Sequence, residues 1–181
     1  MTDDPLAWET MASEIDYSCP GFAVRRDAVR LPDGTVTDYH HVDESPAVVI
    51  LPLTPDGDVV AIEEWRQAVD SVNRGLPAGS VEGSEDLFAA ARRELREETG
   101  YEAGSLEHLL TTEPSNGIAN SVHHHFVAHD CEPTAEQDLD DNESIRADVT
   151  DYDDFLASVI DDELDDGRAA LAVTYYELTQ R

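Results

Sequence analysis

Lysine is absent from this chain of 181 residues: all 11 basic residues are arginine, set against 41 acidic ones. The formal charge of −30 makes nucleic-acid backbones and anionic membranes poor partners. An acidic excess of this size ordinarily accompanies disorder. Here the chain is 40% hydrophobic and its apolar residues recur in periodic segments, which argues for a packed core. A folded protein adapted to high salt fits both facts, because at 1 M salt the screening length falls to about 3 Å. Cysteine is nearly absent too. Cys19 and Cys131 are too few for a disulfide framework and point to a reducing, cytoplasmic setting. No apolar run approaches the roughly 20 residues that a bilayer span needs, and the opening MTDDPLAWET has no apolar stretch of the signal-peptide kind.

What is present reads as one α/β domain with a small N-terminal appendage. Residues 1–16 are acidic and interrupted by Pro5. FAVRRDAVRLPDGTVTDYHHV alternates in part and turns at Pro32-Asp33-Gly34, predicting a hairpin followed by a further strand. AVVILPL is a continuous apolar strand, and Thr54-Pro55-Asp56-Gly57 turns it into the returning strand DVVAIEEW. RQAVDSVNRG is polar and is expected to loop over the surface. A helix is predicted from Ser84 as N-cap, with Glu85 and Asp86 in its first turn, to a stop at Gly100. Its buried side is Leu87, Ala90, Ala91 and Leu95. LEHLLTTE, SVHHHFVAHD and IRADV are further strands, residues 132–143 an acidic loop, and DYDDFLASVIDDEL and GRAALAVTYYELTQ two closing helices.

The acidic helix carries the chemistry. Glu94 lies within roughly 60° of both Glu97 and Glu98 around the helix axis. Three carboxylates on one face repel one another. A hard divalent cation such as Mg²⁺ removes that cost, because it takes oxygen ligands and bridges carboxylates to phosphates.

The spacing of Gly79, Glu85, Arg93, Glu94, Leu95, Glu97, Glu98 and Gly100, closed by Tyr101, resembles the Nudix hydrolase signature at every fixed position. Outside it, VRRDAVRLPDGTVTDYHHV, EEWRQAV, LPAGSVEGSED and ELDDGRAALAVTYYEL resemble the ADP-ribose pyrophosphatase branch of that family, here from a salt-adapted, haloarchaeon-like source. The resemblance implies a mixed sheet between helices, with a small N-terminal antiparallel sheet. Residues 1–44 would form strands for dimerisation and nucleoside contact, and 45–181 the hydrolase domain. It also implies a homodimer acting on a nucleoside diphosphate sugar, most simply ADP-ribose, with Mg²⁺ or Mn²⁺. The alternatives are another nucleoside diphosphate sugar, a dinucleotide polyphosphate, or a non-catalytic nucleotide-sugar sensor. Three positions depart from the branch: Gly75 and Ser121 stand where it carries glutamates, and Asn116 where it carries proline.

Glu94 and Glu98 are the first choices as metal ligands. Glu97 is a further ligand or the group that takes the water proton, and the main-chain oxygen of Ala78 is a ligand by resemblance. Arg93 is expected to hold a carboxylate in its planar fork, with Glu85 as partner. Gly79 is expected to permit a backbone turn. Arg66 and Arg74 are the nearest basic groups and either could meet a substrate phosphate. Of His123, His124 and His125, strand alternation forbids all three meeting at one ion, leaving His123 or His125 to line a substrate cleft. With serine at 121, Glu97 and then His123 are the candidate bases, the third alternative being a metal-activated hydroxide with no dedicated side-chain base. Trp8, Phe22 and Tyr39 suit either base stacking or core or dimer packing.

Overall fold

The computed structural model describes residues 4–181, which divide into two compact units. The first comprises residues up to Ser45 together with Glu113–Val122. It is an antiparallel meander of β1 (Glu9–Ser18), β2 (Ala23–Arg30) and β3 (Val36–Asp43), in the order β1-β2-β3. The β2–β3 turn forms at the expected place: Gly34 takes φ 89°, and Asp33 Oδ1 accepts the Thr35 N–H at 2.8 Å. Strand β1 precedes this hairpin and carried no sequence signal. It is exposed along its whole length, so no alternation of buried and exposed residues marks it. Segment 113–122 is tied to β3, with Val42 N donating to Ile118 O at 2.8 Å and Asn120 N to Val42 O at 3.0 Å.

The second unit begins with β4 (Ala47–Pro52), β5 (Val59–Arg66), β6 (Ser71–Gly75), β7 (Ala78–Ser80) and α1 (Leu87–Thr99). It continues with β8 (Tyr101–Glu102), β9 (Ser105–Thr112), β10 (His123–His129), β11 (Glu132–Pro133) and β12 (Ile145–Thr150), and ends with α2 (Tyr152–Ile160) and α3 (Gly167–Gln180). A mixed sheet runs β7-β4-β10-β9, with β4 and β10 parallel. Strand β4 is apolar throughout because both its faces are covered. Val48 and Ile50 join Phe126 and Ala128 under α1, against Ala90, Ala91 and Leu95. Val49 and Leu51 join Val127 on the opposite face, against Phe155 of α2 and Ala169, Ala172 and Val173 of α3. The expected mixed sheet between helices is what forms. No helix among the described residues is long and apolar enough to cross a membrane.

Three expectations are corrected. The turn at 54–57 exists, with Gly57 N donating to Thr54 O at 2.9 Å, but β4 and β5 do not form a hairpin. They share a single bridge, Leu53 to Val59, and then enter different sheets, β5 lying between β12 and β6. β4 and the first half of β5, Val59–Ile62, are buried on both faces, so each is stabilised more by burial in its own layer. Residues 71–75 are strand β6 rather than loop: polar residues are accommodated because the strand lies at a sheet edge. The helix starts two residues later than expected. Asp86, not Ser84, is the N-cap, its Oδ1 accepting from Phe88 N at 3.0 Å and Ala89 N at 3.3 Å, and Leu87 is only half-buried.

Candidate active site

Because the cap falls at Asp86, Glu85 stays outside the helix and can fold back along it. Arg93 grips it with Nε to Oε1 at 3.2 Å and Nη2 to Oε2 at 3.0 Å. The same guanidinium donates Nη1 to Glu94 Oε1 at 2.7 Å and to Glu97 Oε2 at 3.1 Å, and Nη2 to the Ser80 carbonyl at 3.0 Å. The expected Arg93–Glu85 fork is therefore present, within a wider arrangement. One cation is shared among three carboxylates and joins α1 to strand β7. Glu85, more than any other partner, raises the Arg93 pKa above its ordinary value, so the charge is permanent.

Gly79 is required here for a reason other than the expected backbone turn. It lies in β7, opposite Val48, and a Cβ built on it would stand 2.2 Å from the Glu94 carboxylate carbon. Only a glycine lets the carboxylate lie against the strand. One turn along, Glu98 is 2% exposed, and its Oε2 accepts the Ala78 N–H at 2.9 Å. Burial pushes Glu98 up to about 9, with Glu94 adding to the shift and the Ala78 N–H opposing it. Burial also raises Glu94, against the pull of Arg93. Two desolvated carboxyls side by side are in the state that a bound cation would relieve.

A cleft of about 520 Å³ opens beside this cluster. Ala78, Gly79, Arg93, Glu94 and Glu97 line it, with Arg66 at the end of β5. Glu98 is buried and is not part of this lining. Arg66 Nη2 is ion-paired with Glu64 Oε2 at 2.6 Å. Arg74 is elsewhere: strand β6 directs it across the antiparallel sheet, where Nη2 donates to Asp148 Oδ2 at 2.8 Å and its guanidinium stacks over Phe155 at 5.9 Å. His123 is likewise not on the cleft wall. Its ring lies 6.3 Å from that of His125, on the same side of β10, while His124 faces His108 at 6.4 Å on the other. His125 is buried and meets Thr112 Oγ1 through Nε2 at 3.3 Å. Ser121 is buried in the first unit and donates its hydroxyl to Glu44.

Part of the lining was not found from the sequence. Asp138, Asp140 and Glu143 reach it from the acidic loop, and Arg168 from the start of α3. Their only sequence signal was an excess of acid in 132–143, which looks the same in a solvated loop. The geometry shows why the loop is at the site. Asp138 N donates to Glu97 O at 2.9 Å, Thr134 N to Gly100 O at 2.9 Å, and the Gln137 amide to Glu98 O. These satisfy carbonyls that a helix C-terminus leaves without partners. Gly100 itself takes φ 75°, and a Cβ there would meet the Ala135 carbonyl at 2.4 Å.

The donor set is all oxygen, which suits a hard divalent cation. Among the described residues no three His, Cys, Asp or Glu side chains already converge on one point, and the Arg93 guanidinium stands between Glu94 and Glu97. The chemistry fits such an ion, with Glu94, Glu97 and Glu98 turning to it.

Residues 43–170 match the family model described as NUDIX domain. The chain belongs to the NUDIX family and is a Nudix hydrolase, a class that generally uses divalent metal ions. It is 29% identical over 176 residues to the ADP-ribose pyrophosphatase of Bacillus subtilis (strain 168), covering 97% of this chain and 95% of that protein. It is 28% identical over 173 residues to the methanol dehydrogenase activator of Bacillus methanolicus, covering 95% and 94%. A crystal structure of an ADP compounds hydrolase matches the fold with a TM-score of 0.84 at 20% identity, over 98% of this chain and 96% of that one.

Proposed function

We propose that the protein hydrolyses ADP-ribose to AMP and ribose 5-phosphate with Mg²⁺. The observation that carries this reading is the Arg93-centred carboxylate cluster facing a cleft that also holds Arg66 and Arg168. Such a site opposes acidic groups, which hold a cation, to guanidinium groups, which bind phosphate. The full-length likeness to the Bacillus subtilis enzyme supports the choice of substrate.

Glu94, Glu97, Glu98 and the main-chain oxygen of Ala78 would hold Mg²⁺, or Mn²⁺ in its place. A bound ion there supplies charge neutralisation at the diphosphate oxygens and lowers the pKa of water. Arg93 keeps Glu94 and Glu97 oriented, and Arg66 meets a phosphate oxygen. Water adds across the P–O–P linkage, one phosphorus keeping the bridging oxygen and the other gaining the water oxygen. Glu143 is the proton acceptor of this reading. It lines the cleft and is hydrogen-bonded through Oε2 to Asp140 N at 3.0 Å. Glu97, the first expectation, has both carboxylate oxygens engaged, by Arg93 at 3.1 Å and Arg96 at 3.8 Å.

The first unit contains its own pocket of about 420 Å³, with Trp8, Tyr39, His41 and Asn116 in its lining. Trp8 packs edge-on to Tyr39 at 5.7 Å. Aromatic faces beside an amide suit a nucleobase, and we assign that role to residues 1–44 with segment 113–122, in a cytoplasmic, salt-adapted homodimer. The second reading, a ligand-binding regulator, is favoured by the equally extensive likeness to the methanol dehydrogenase activator. Incubation in molar KCl with Mg²⁺ and ADP-ribose, ADP-glucose, GDP-mannose, a diadenosine polyphosphate or a nucleoside triphosphate, followed by mass analysis, decides between them. AMP and ribose 5-phosphate are expected from ADP-ribose at the highest rate. Ligands that bind and remain intact would establish the regulator instead.

A further inference from the structure

Arg168 is the least expected member of the cleft. It stands in the first turn of α3 and lines the same cleft as Arg93, Glu94 and Glu97. Its Nε donates to Asp166 Oδ1 at 3.1 Å and its Nη2 to Asp166 Oδ2 at 2.6 Å, a two-point grip on one edge of the guanidinium. The other terminal nitrogen, Nη1, makes no hydrogen bond to any described residue. Asp166 is held in turn. As N-cap of α3, its Oδ1 accepts Arg168 N at 2.8 Å and Ala169 N at 3.4 Å.

What admits Asp166 is Gly75, at the end of β6 and paired with Ile62. A Cβ at residue 75 would lie 2.8 Å from Asp166 Oδ2. The sequence places glycine where room is needed for this carboxylate, and the carboxylate fixes the arginine. The other two cleft arginines differ. Arg93 directs all three nitrogens to Glu85, Glu94, Glu97 and the Ser80 carbonyl. Arg66 has a single ion pair, to Glu64. Arg168 alone combines a rigid two-point support with a donor directed away from it.

We infer that Arg168 binds an anionic oxygen of the substrate diphosphate through Nη1, and that Asp166, in the space left by Gly75, is its positioning residue. The inference rests on the proposed substrate class, a nucleoside diphosphate derivative. One guanidinium lost from a phosphate weakens binding roughly tenfold to a hundredfold. Lysine at this position would keep the charge but lose the fork that meets Asp166 and substrate together.

Titration calorimetry without divalent metal, using ADP-ribose and separately inorganic diphosphate, measures binding apart from turnover. R168M is expected to weaken both ligands roughly tenfold to a hundredfold, with R168K intermediate. D166N keeps a capping side chain and should weaken them several-fold, and G75A in the same direction. Thermal melts of each variant identify any that fails to fold, and D166N carries the positioning claim if G75A does. In steady state KM should rise by the same factor while kcat changes less. R168M binding both ligands like the wild type would overturn the inference even if the wild type hydrolyses ADP-ribose. Normal binding in D166N beside weak binding in R168M would overturn the positioning role. A wild type that binds diphosphate through Arg168 yet hydrolyses no nucleoside diphosphate compound would sink the proposed activity and leave the contact standing.

Discussion

The Glu94 carboxylate occupies the space beside Gly79 that any other residue's Cβ would fill, at 2.2 Å from where that atom would be. Gly79→Ala should therefore displace Glu94 and break its contact with Arg93. Overpacking of this kind costs about 1–3 kcal/mol. The expected result is a fall in turnover of at least about 10²-fold, equivalent to about 2.7 kcal/mol, in a protein that still melts cooperatively. Near-normal kcat in Gly79→Ala would show that Glu94 needs no fixed position.

Glu98 is buried against Ala78 N–H, and its carboxyl is pushed up to about 9 by burial. In the metal-free protein, Glu98→Gln should leave the melting temperature level or raise it, because an amide has no charge to desolvate. With Mg²⁺ added, the wild type should gain stability by mass action, and the variant much less. Turnover of Glu94→Gln and of Glu98→Gln should each fall at least about 10²-fold. A Glu98→Gln protein that keeps its full Mg²⁺ thermal shift would remove this residue from the ligand set.

His125 has its pKa pushed down to about 4, first by burial and then by His123. An unfolded histidine titrates near 6.5. Above that pH neither state holds the proton, and the group contributes nothing to pH dependence. Between about 6.5 and 4 the unfolded chain takes up a proton that the folded chain does not, so stability falls with pH. The loss for this one group reaches about 3 kcal/mol. Urea melts of wild type and His125→Gln across that window should converge as pH falls. Parallel curves would mean the imidazole is protonated in the fold.

The two cysteines should separate by reactivity. Cys131 is 1% exposed, and burial pushes its thiol up to about 12, while Cys19 is only partly buried. Iodoacetamide should modify Cys19 in the folded protein and Cys131 only in denaturant. Peptide mass mapping after a timed reaction reads the difference directly, and equal rates would contradict the packing of Cys131 beneath α1.

Salt should act on the whole molecule. With 41 acidic and 11 basic residues, repulsion acts over about 30 Å at 0.01 M salt but about 3 Å at 1 M. Circular dichroism during dialysis out of molar KCl should show loss of structure. An unchanged spectrum and melting temperature would remove the salt-adapted reading.

Local patterns located the fold and one half of the site. Gly79, Glu85, Arg93, Glu94, Glu97 and Glu98 lie within one short stretch, and helix periodicity alone places most of them together. The rest of the acidic and basic lining comes from residues 138, 140, 143 and 168, brought in by backbone hydrogen bonds at the end of α1 and by packing of α3. Neither leaves a spacing to read. Arg74 and Arg66 looked alike as basic residues near the motif, and only the register of β5 and β6 separates them. Strand β1 lacked a signal because no face of it is buried. The branch of β4 and β5 into different sheets was hidden because a turn sequence fixes chain reversal, not pairing.

Surface loops ordinarily change length freely as proteins diverge. The stretch from Thr134 to Glu143 is not free in that sense, since donors at 134, 135, 137 and 138 meet the carbonyls of Gly100, Glu98 and Glu97 at the end of α1. A residue inserted before Asp138 would shift every acidic side chain after it off the cleft. Descendants of this chain should therefore acquire new substrates through replacements at 138, 140 and 143, with the length of this segment held constant.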